Sequence, residues 1–207
     1  MRVRIKICGI TRIEDALSAV ELGVDALGFV FHPQSPRYLE PAAAGEIIKR
    51  LPAFVATVGV FVDEDINILH SILGLTGLST VQLHGVESSH YCESLGTIKC
   101  IKGIRLGSKQ DLEKIEQYPQ QVGILLDSYE KGTPGGTGKT FDWDWAAEAQ
   151  RRRPIILAGG LGAHNVVQAI HKVRPYAVDA SSSLEMEPGV KDHDKMAAFV
   201  EAVRKCR

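Results

Sequence analysis

Eight short apolar runs, each followed by a stretch whose apolar residues recur at helical spacing, succeed one another from end to end of this chain. The runs expected as strands are Val3–Cys8, Ala26–Phe31, Phe54–Phe61, Thr80–His84, Ile98–Ile104, Val122–Asp127, Ile155–Ala158 and Ala177–Ala180. The helices expected to follow them are Ile13–Leu22, Pro41–Leu51, Ile66–Leu73, Ser88–Leu95, Lys109–Gln117, Trp143–Arg151, Asn165–Lys172 and His193–Lys205. This alternation constrains the fold because strands joined by helical crossovers lie parallel, and a parallel sheet needs helices to cover it. Eight such units make the count of a (β/α)8 TIM barrel, and 207 residues is near the small end of that fold's range. The competitor is a doubly wound open sheet, but the first strand runs into Cys8-Gly9-Ile10-Thr11, without the dinucleotide fingerprint GxGxxG. No linker or break in composition divides the chain, so residues 1–207 are expected to form one α/β domain of eight parallel strands ringed by helices.

Composition narrows the function. Hydrophobic residues make up 44% and charged residues 24%, and a net charge of −1 lacks the basic excess of a nucleic-acid binder. No apolar run reaches membrane-spanning length, and the N-terminus alternates Arg2, Arg4 and Lys6 with aliphatics instead of forming a signal-peptide core. Cys8, Cys92, Cys100 and Cys206 show no CxxC spacing, and a chain of this size can bury a core without staples. Reduced thiols in a cytoplasmic enzyme are therefore expected.

In a parallel barrel the C-terminal strand tips carry the chemistry, and here they hold Cys8, His84, Asp127, Gly159, Gly160 and Asp179. Parity fixes which way the first of these points. Arg4, Lys6 and Cys8 share one face of the first strand, and Val3, Ile5 and Ile7 share the other. The aliphatic face must pack on helices, so Cys8 points toward the barrel axis. The same argument turns Gln82 and His84 inward, opposite Val81 and Leu83. A lone buried cysteine is often a small apolar filler. Its place at a strand tip directly before Gly9 argues instead for chemistry, which would require nearby positive charge to ionise the thiol, with Lys6 and Arg37 as candidates.

Asp127 ends the very apolar run 122–127 and precedes a long Gly-rich segment, 128–140, of a kind that often serves as a binding loop. A carboxyl group at the mouth of an apolar barrel can act as a general acid, and Asp179 adds like-charge pressure in that direction. Within the Gly-rich segment, Gly138-Lys139-Thr140 resembles the end of a P-loop, but the motif needs glycine where Thr133 stands and lacks a strand immediately upstream. Phosphate recognition is expected elsewhere. Gly159 and Gly160 follow the seventh strand, and Ser181 and Ser182 follow the eighth, the two loops where barrels of this type bind phosphate. Arg37, in a loop stiffened by Pro33 and Pro36, suits a bidentate grip on a carboxylate. His84 is a candidate to orient a sugar or carboxylate. The other histidines show no metal-ligand spacing, so no metal is expected.

The segments KICGIT (6–11), GFVFHPQSPRY (28–38), VGVF (58–61), VQLHG (81–85), LLDS (125–128), GGTGKTFDW (135–143), LAGGL (157–161), VDASSSLE (178–185) and PGVKDHDK (188–195) complete the picture. Taken in this order they resemble the phosphoribosylanthranilate isomerase family, barrel enzymes of tryptophan biosynthesis, over essentially the whole chain. The resemblance implies that Cys8 is a general base, Asp127 a general acid and Arg37 the grip on the anthranilate carboxylate. It also implies that His84 and Asp179 are further polar residues of the site, and that Gly159, Gly160, Ser181 and Ser182 cradle the phosphate of a small-molecule substrate. The implied reaction is an Amadori rearrangement needing no cofactor, because the substrate's own nitrogen acts as electron sink. Two alternatives stand beside it. The histidine-pathway aminoaldose isomerase would pair aspartates at strands one and five, where this chain has Cys8 and the Ile104 region. A phosphate-binding barrel without turnover would have no use for both Cys8 and Asp127.

Overall fold

In a computed structural model, which describes residues 2–128 and 143–206, eight parallel strands close into a barrel. They are β1 (Arg4–Cys8), β2 (Ala26–Val30), β3 (Ala56–Phe61), β4 (Thr80–Leu83), β5 (Lys99–Leu106), β6 (Gly123–Ser128), β7 (Ile155–Leu157) and β8 (Ala177–Ala180). Each strand pairs with the next in sequence, and β8 returns to β1 with Lys6 opposite Asp179. The helices are α1 (Ile13–Glu21), α2 (Pro41–Ile48), α3 (Ile66–Thr76), α4 (Ser89–Ser94), α5 (Trp143–Arg152), α6 (Val166–Val173) and α7 (His193–Lys205). Local chemistry sets their ends. Asp65 accepts hydrogen bonds from the N–H groups of Asn67 and Ile68 to start α3, which stops where Gly77 turns left-handed at φ 71°.

Parity operates as expected. Ile5, Ile7, Val81 and Leu83 belong to the large core between sheet and helices, whereas Cys8 packs with Val30 and Val60 in a separate small cluster. A one-residue slip of β1 would exchange Ile5 and Ile7 for Lys6 and Cys8. Each fully buried Ile contributes about 1.5–3 kcal/mol relative to exposure, so the register is strongly held.

Four departures from the expected elements have physical causes. Lys109–Gln117 is a 3-10 helix, not an α-helix. It buries only Leu112 and Ile115, three residues apart as a three-residue turn requires, and Pro119 disfavours helical geometry just beyond it. The strand expected from Phe54 begins at Ala56, and Phe54 is fully exposed. β5 runs two residues past Ile104 because β6 continues beside it, to Leu106 opposite Ser128. After β8 a short 3-10 turn leads into an unexpected antiparallel hairpin, β9 (Glu185–Glu187) with β10 (Val190–Lys191), turned at Gly189 with φ 86°. The segment 129–142, with most of the expected Gly-rich binding loop and Gly138-Lys139-Thr140, lies outside the described residues.

Candidate active site

Cys8 reaches the barrel interior at the tip of β1, opposite Gly28 of β2. A Cβ added to Gly28 would lie 2.6 Å from the Cys8 Sγ, so glycine there makes room for the thiol. Two residues below, Lys6 is buried and its Nζ donates to Asp179 Oδ2 at 2.9 Å. Burial works against the Lys6 ammonium, but Asp179 and Cys8 outweigh it and hold its pKa above the ordinary lysine value. Burial also dominates at Cys8, pushing the thiol up despite the opposing charges of Lys6 and Lys191. Of the two cations expected to favour the thiolate, Lys6 does act in that direction. Lys6 opposes burial without overcoming it, and Arg37 is tied to a carboxylate.

That carboxylate is Glu185. Arg37 Nε donates to its Oε1 at 2.8 Å and Nη2 to its Oε2 at 2.7 Å, a forked pair with little exposure. Burial opposes the Glu185 carboxylate, but hydrogen bonds from Arg37 and Lys191 outweigh it and keep its pKa below the ordinary range. The loop carrying Arg37 is also fixed locally, by the Arg37 N–H donating to Ser35 Oγ at 3.1 Å.

The Asp127 side of the mouth is built from β4, β5 and β6. Asp127 stands one residue before the end of β6, and its Oδ2 lies 3.2 Å from His84 Nε2. His84 Nδ1 in turn lies 3.2 Å from Gln82 Nε2, so an amide oriented this way assigns the ring proton to Nε2, facing Asp127. A Cβ on Gly103 of β5 would come within 2.4 Å of His84 Nδ1, so glycine there makes room for the imidazole. The turn leaving His84 is anchored by buried Glu87, which accepts from Gly85 N–H at 3.0 Å and Lys102 Nζ at 2.7 Å.

Asp179 lies between the two sides. With Oδ2 on Lys6, its Oδ1 is buried and has no hydrogen-bond partner among the described residues. A buried acceptor left unpaired is costly, and a ligand hydroxyl donating to it would remove that cost. At the ends of β7 and β8, Gly159 and Gly160 have φ of 84° and 63°, a left-handed backbone that suits glycine, and no described residue accepts from their N–H groups. Ser181 is not wholly free for an anion, because its Oγ donates to the Cys8 carbonyl at 3.0 Å. Among those residues no group of three or more His, Cys, Asp or Glu side chains is arranged to hold a metal ion.

A family model described as N-(5'-phosphoribosyl)anthranilate (PRA) isomerase matches residues 5–202. The chain belongs to this PRA isomerase family. The N-(5'-phosphoribosyl)anthranilate isomerase of Pseudomonas putida is 51% identical over 203 residues, covering 98% of each chain. The crystal structure of the Thermotoga maritima PRA isomerase superposes with a TM-score of 0.93 at 43% identity, covering 98% of this chain and 99% of that one. A second solved PRA isomerase, 41% identical with a TM-score of 0.89 over 98% of this chain and 99% of its own, is in complex with reduced 1-(o-carboxyphenylamino)-1-deoxyribulose 5-phosphate.

Sequence reasoning overlooked three residues at this PRA isomerase site. Gln82 was placed on the inner face but given no task, and its contact with His84 is its signal. Glu185 and Lys191 lie inside the matching segments 178–185 and 188–195. Nothing in a linear reading shows that they meet Arg37 and Cys8 across the mouth.

Proposed function

We propose that Cys8 and Asp127 are the base and the acid with which this family member isomerises N-(5'-phosphoribosyl)anthranilate, the aldose-to-ketose step in tryptophan biosynthesis. The carrying observation is that both stand at the C-terminal ends of barrel strands at one mouth, with buried Asp179 on the intervening β8 offering an oxygen that has no partner among the described residues. Asp127, carrying a proton, delivers it to the ribose ring oxygen. The C1′–O bond breaks, and the anthranilate nitrogen takes up the positive charge as a Schiff base. Cys8 thiolate then removes the C2′ proton, giving an enolamine that takes up a proton at C1′ as its C2′ hydroxyl releases one, and so becomes 1-(2-carboxyphenylamino)-1-deoxy-D-ribulose 5-phosphate. A thiol with a raised pKa is the stronger base once ionised, although a smaller fraction carries the charge.

Arg37, oriented by Glu185, grips the anthranilate carboxylate. The turns at Gly159, Gly160, Ser181 and Ser182 hold the phosphate, and Asp179 accepts from a ribose hydroxyl. The analogue bound to the related isomerase has both an aromatic carboxylate and a phosphate. Residues 1–207 are read as a single catalytic domain. A cytoplasmic setting belongs to the same proposal, supported by four cysteines that are all unpaired. Incubating the protein with freshly made phosphoribosylanthranilate and following loss of its fluorescence tests the reading. Turnover that disappears in Cys8→Ser is expected, whereas binding without turnover in the unaltered protein would leave a phosphate-binding barrel.

A further inference from the structure

We infer that Lys191 and Glu185 are positioning residues that join the general base, the phosphate turn and the carboxylate grip into one unit, so that residues remote from the substrate set its recognition. The inference rests on the reading of Arg37 as the carboxylate grip. The Lys191 side chain is completely buried, and its Nζ spends its three protons on three partners. One is the Cys8 carbonyl at 2.7 Å, the second the Ser181 carbonyl at 3.3 Å, and the third Glu185 Oε1 at 2.7 Å. Cys8 bears the base, Ser181 belongs to the phosphate turn, and Glu185 carries the fork of Arg37.

The brace is itself pinned. The Lys191 N–H donates to Oδ2 of fully buried Asp15 in α1 at 3.0 Å, which fixes the β9–β10 hairpin against the first helix of the barrel. Burying an ammonium and a carboxylate is costly, and well-packed apolar replacements are often no less stable. A fold needing only a filled space behind β1 has no call for this pair. An enzyme that must hold a guanidinium at fixed distance from a base has one. The fork to Glu185 occupies the Nε and one Nη2 proton of Arg37 and leaves the Nη1 edge for a ligand carboxylate, so Glu185 fixes the plane in which that carboxylate must approach.

The test measures affinity for two probes, reduced 1-(o-carboxyphenylamino)-1-deoxyribulose 5-phosphate and its counterpart lacking the carboxylate. Glu185→Gln should weaken the first by about tenfold or more and the second by no more than about twofold. Combined with Arg37→Ala it should add almost nothing, because both changes remove one interaction. Lys191→Met, with an apolar stem of similar length, should narrow the same discrimination and also lower kcat, since the Cys8 and Ser181 carbonyls lose their tie. Equal weakening of both probes by Glu185→Gln, or no weakening of either, overturns the inference. Should that variant not fold, Lys191→Met decides alone, and unchanged discrimination there overturns it. Equal weakening by Arg37→Ala alone would instead remove the reading of Arg37 itself.

Discussion

The two sides of the barrel mouth are built on different plans. Around Cys8 the supports are buried and charged: Lys6 with Asp179 at 2.9 Å, Glu185 with Lys191 at 2.7 Å, and Arg37 forked onto Glu185. Around Asp127 the support is a single file, Gln82 to His84 to Asp127, with both contacts at 3.2 Å and the carboxylate about a quarter exposed. On the proposed roles of Cys8 and Asp127, the difference follows from the two tasks. A base must be kept dry and fixed, because water would weaken it and misplacement would cost the attack on C2′. An acid that must recover a proton each cycle needs a route to water, which a partly exposed carboxylate has.

Substitutions at the reacting groups should break the comparison most severely. Cys8→Ser should lower kcat by about 10²–10⁴-fold with the fold and phosphate binding intact, because a serine hydroxyl is far too weak an acid to supply an anion. Steady-state assays and phosphate titration decide it, and near-normal kcat would return Cys8 to the role of core filler. Asp127→Asn should cost at least about 10²-fold in kcat with a modest change in KM, since the amide donates a hydrogen bond but cannot transfer a proton. A nearly unaffected variant would move proton delivery to His84.

The glycines beside the two functional side chains sharpen the contrast at smaller scale. Gly28→Ala would place a Cβ 2.6 Å from Cys8 Sγ, and Gly103→Ala a Cβ 2.4 Å from His84 Nδ1. Each should destabilise by about 1–3 kcal/mol as overpacking does. The Gly28 variant should lose more kcat, because Cys8 is held from behind by Lys191 while the His84 ring has only two long contacts to give up. Thermal transitions and kcat measured on both separate the effects, and equal activity losses would mean that the acid side is as rigid as the base side.

The gentlest probe is the pH dependence of Cys8 alkylation by iodoacetamide, followed on the Cys8 peptide by mass spectrometry. Only the thiolate reacts, and burial raises the thiol's pKa, so the rate should still be climbing with pH beyond the ordinary thiol midpoint. Lys6→Met removes a charge that favours the thiolate and should shift the curve further up. A shift downward would contradict the field assigned to Lys6.

Much of this was legible in the sequence, for reasons visible at particular residues. The strands were readable because helix-covered parallel strands need strongly apolar runs such as 122–126, and parity alone turned Cys8 and His84 inward. The hairpin Glu185–Lys191 was not readable, since strands of three and two residues are too short to show a period. Pro188-Gly189 marked its turn but not the pairing. The tie between Arg37 and Glu185 spans 148 residues, a contact made by barrel closure and not by any local pattern. A buried lysine is equally silent in sequence, because lysines are mostly exposed and Lys191 differs from them only by its surroundings.

The assignment of base and acid is tested most directly with phosphoribosylanthranilate carrying deuterium at C2′, turned over by the unaltered protein, Cys8→Ser and Asp127→Asn. If Cys8 takes the C2′ proton, its loss makes that step limiting, and the isotope effect on kcat should rise in Cys8→Ser above that of the unaltered protein. In Asp127→Asn ring opening becomes limiting, so the isotope effect should vanish although kcat falls steeply. An isotope effect that rises in Asp127→Asn and not in Cys8→Ser would contradict the account.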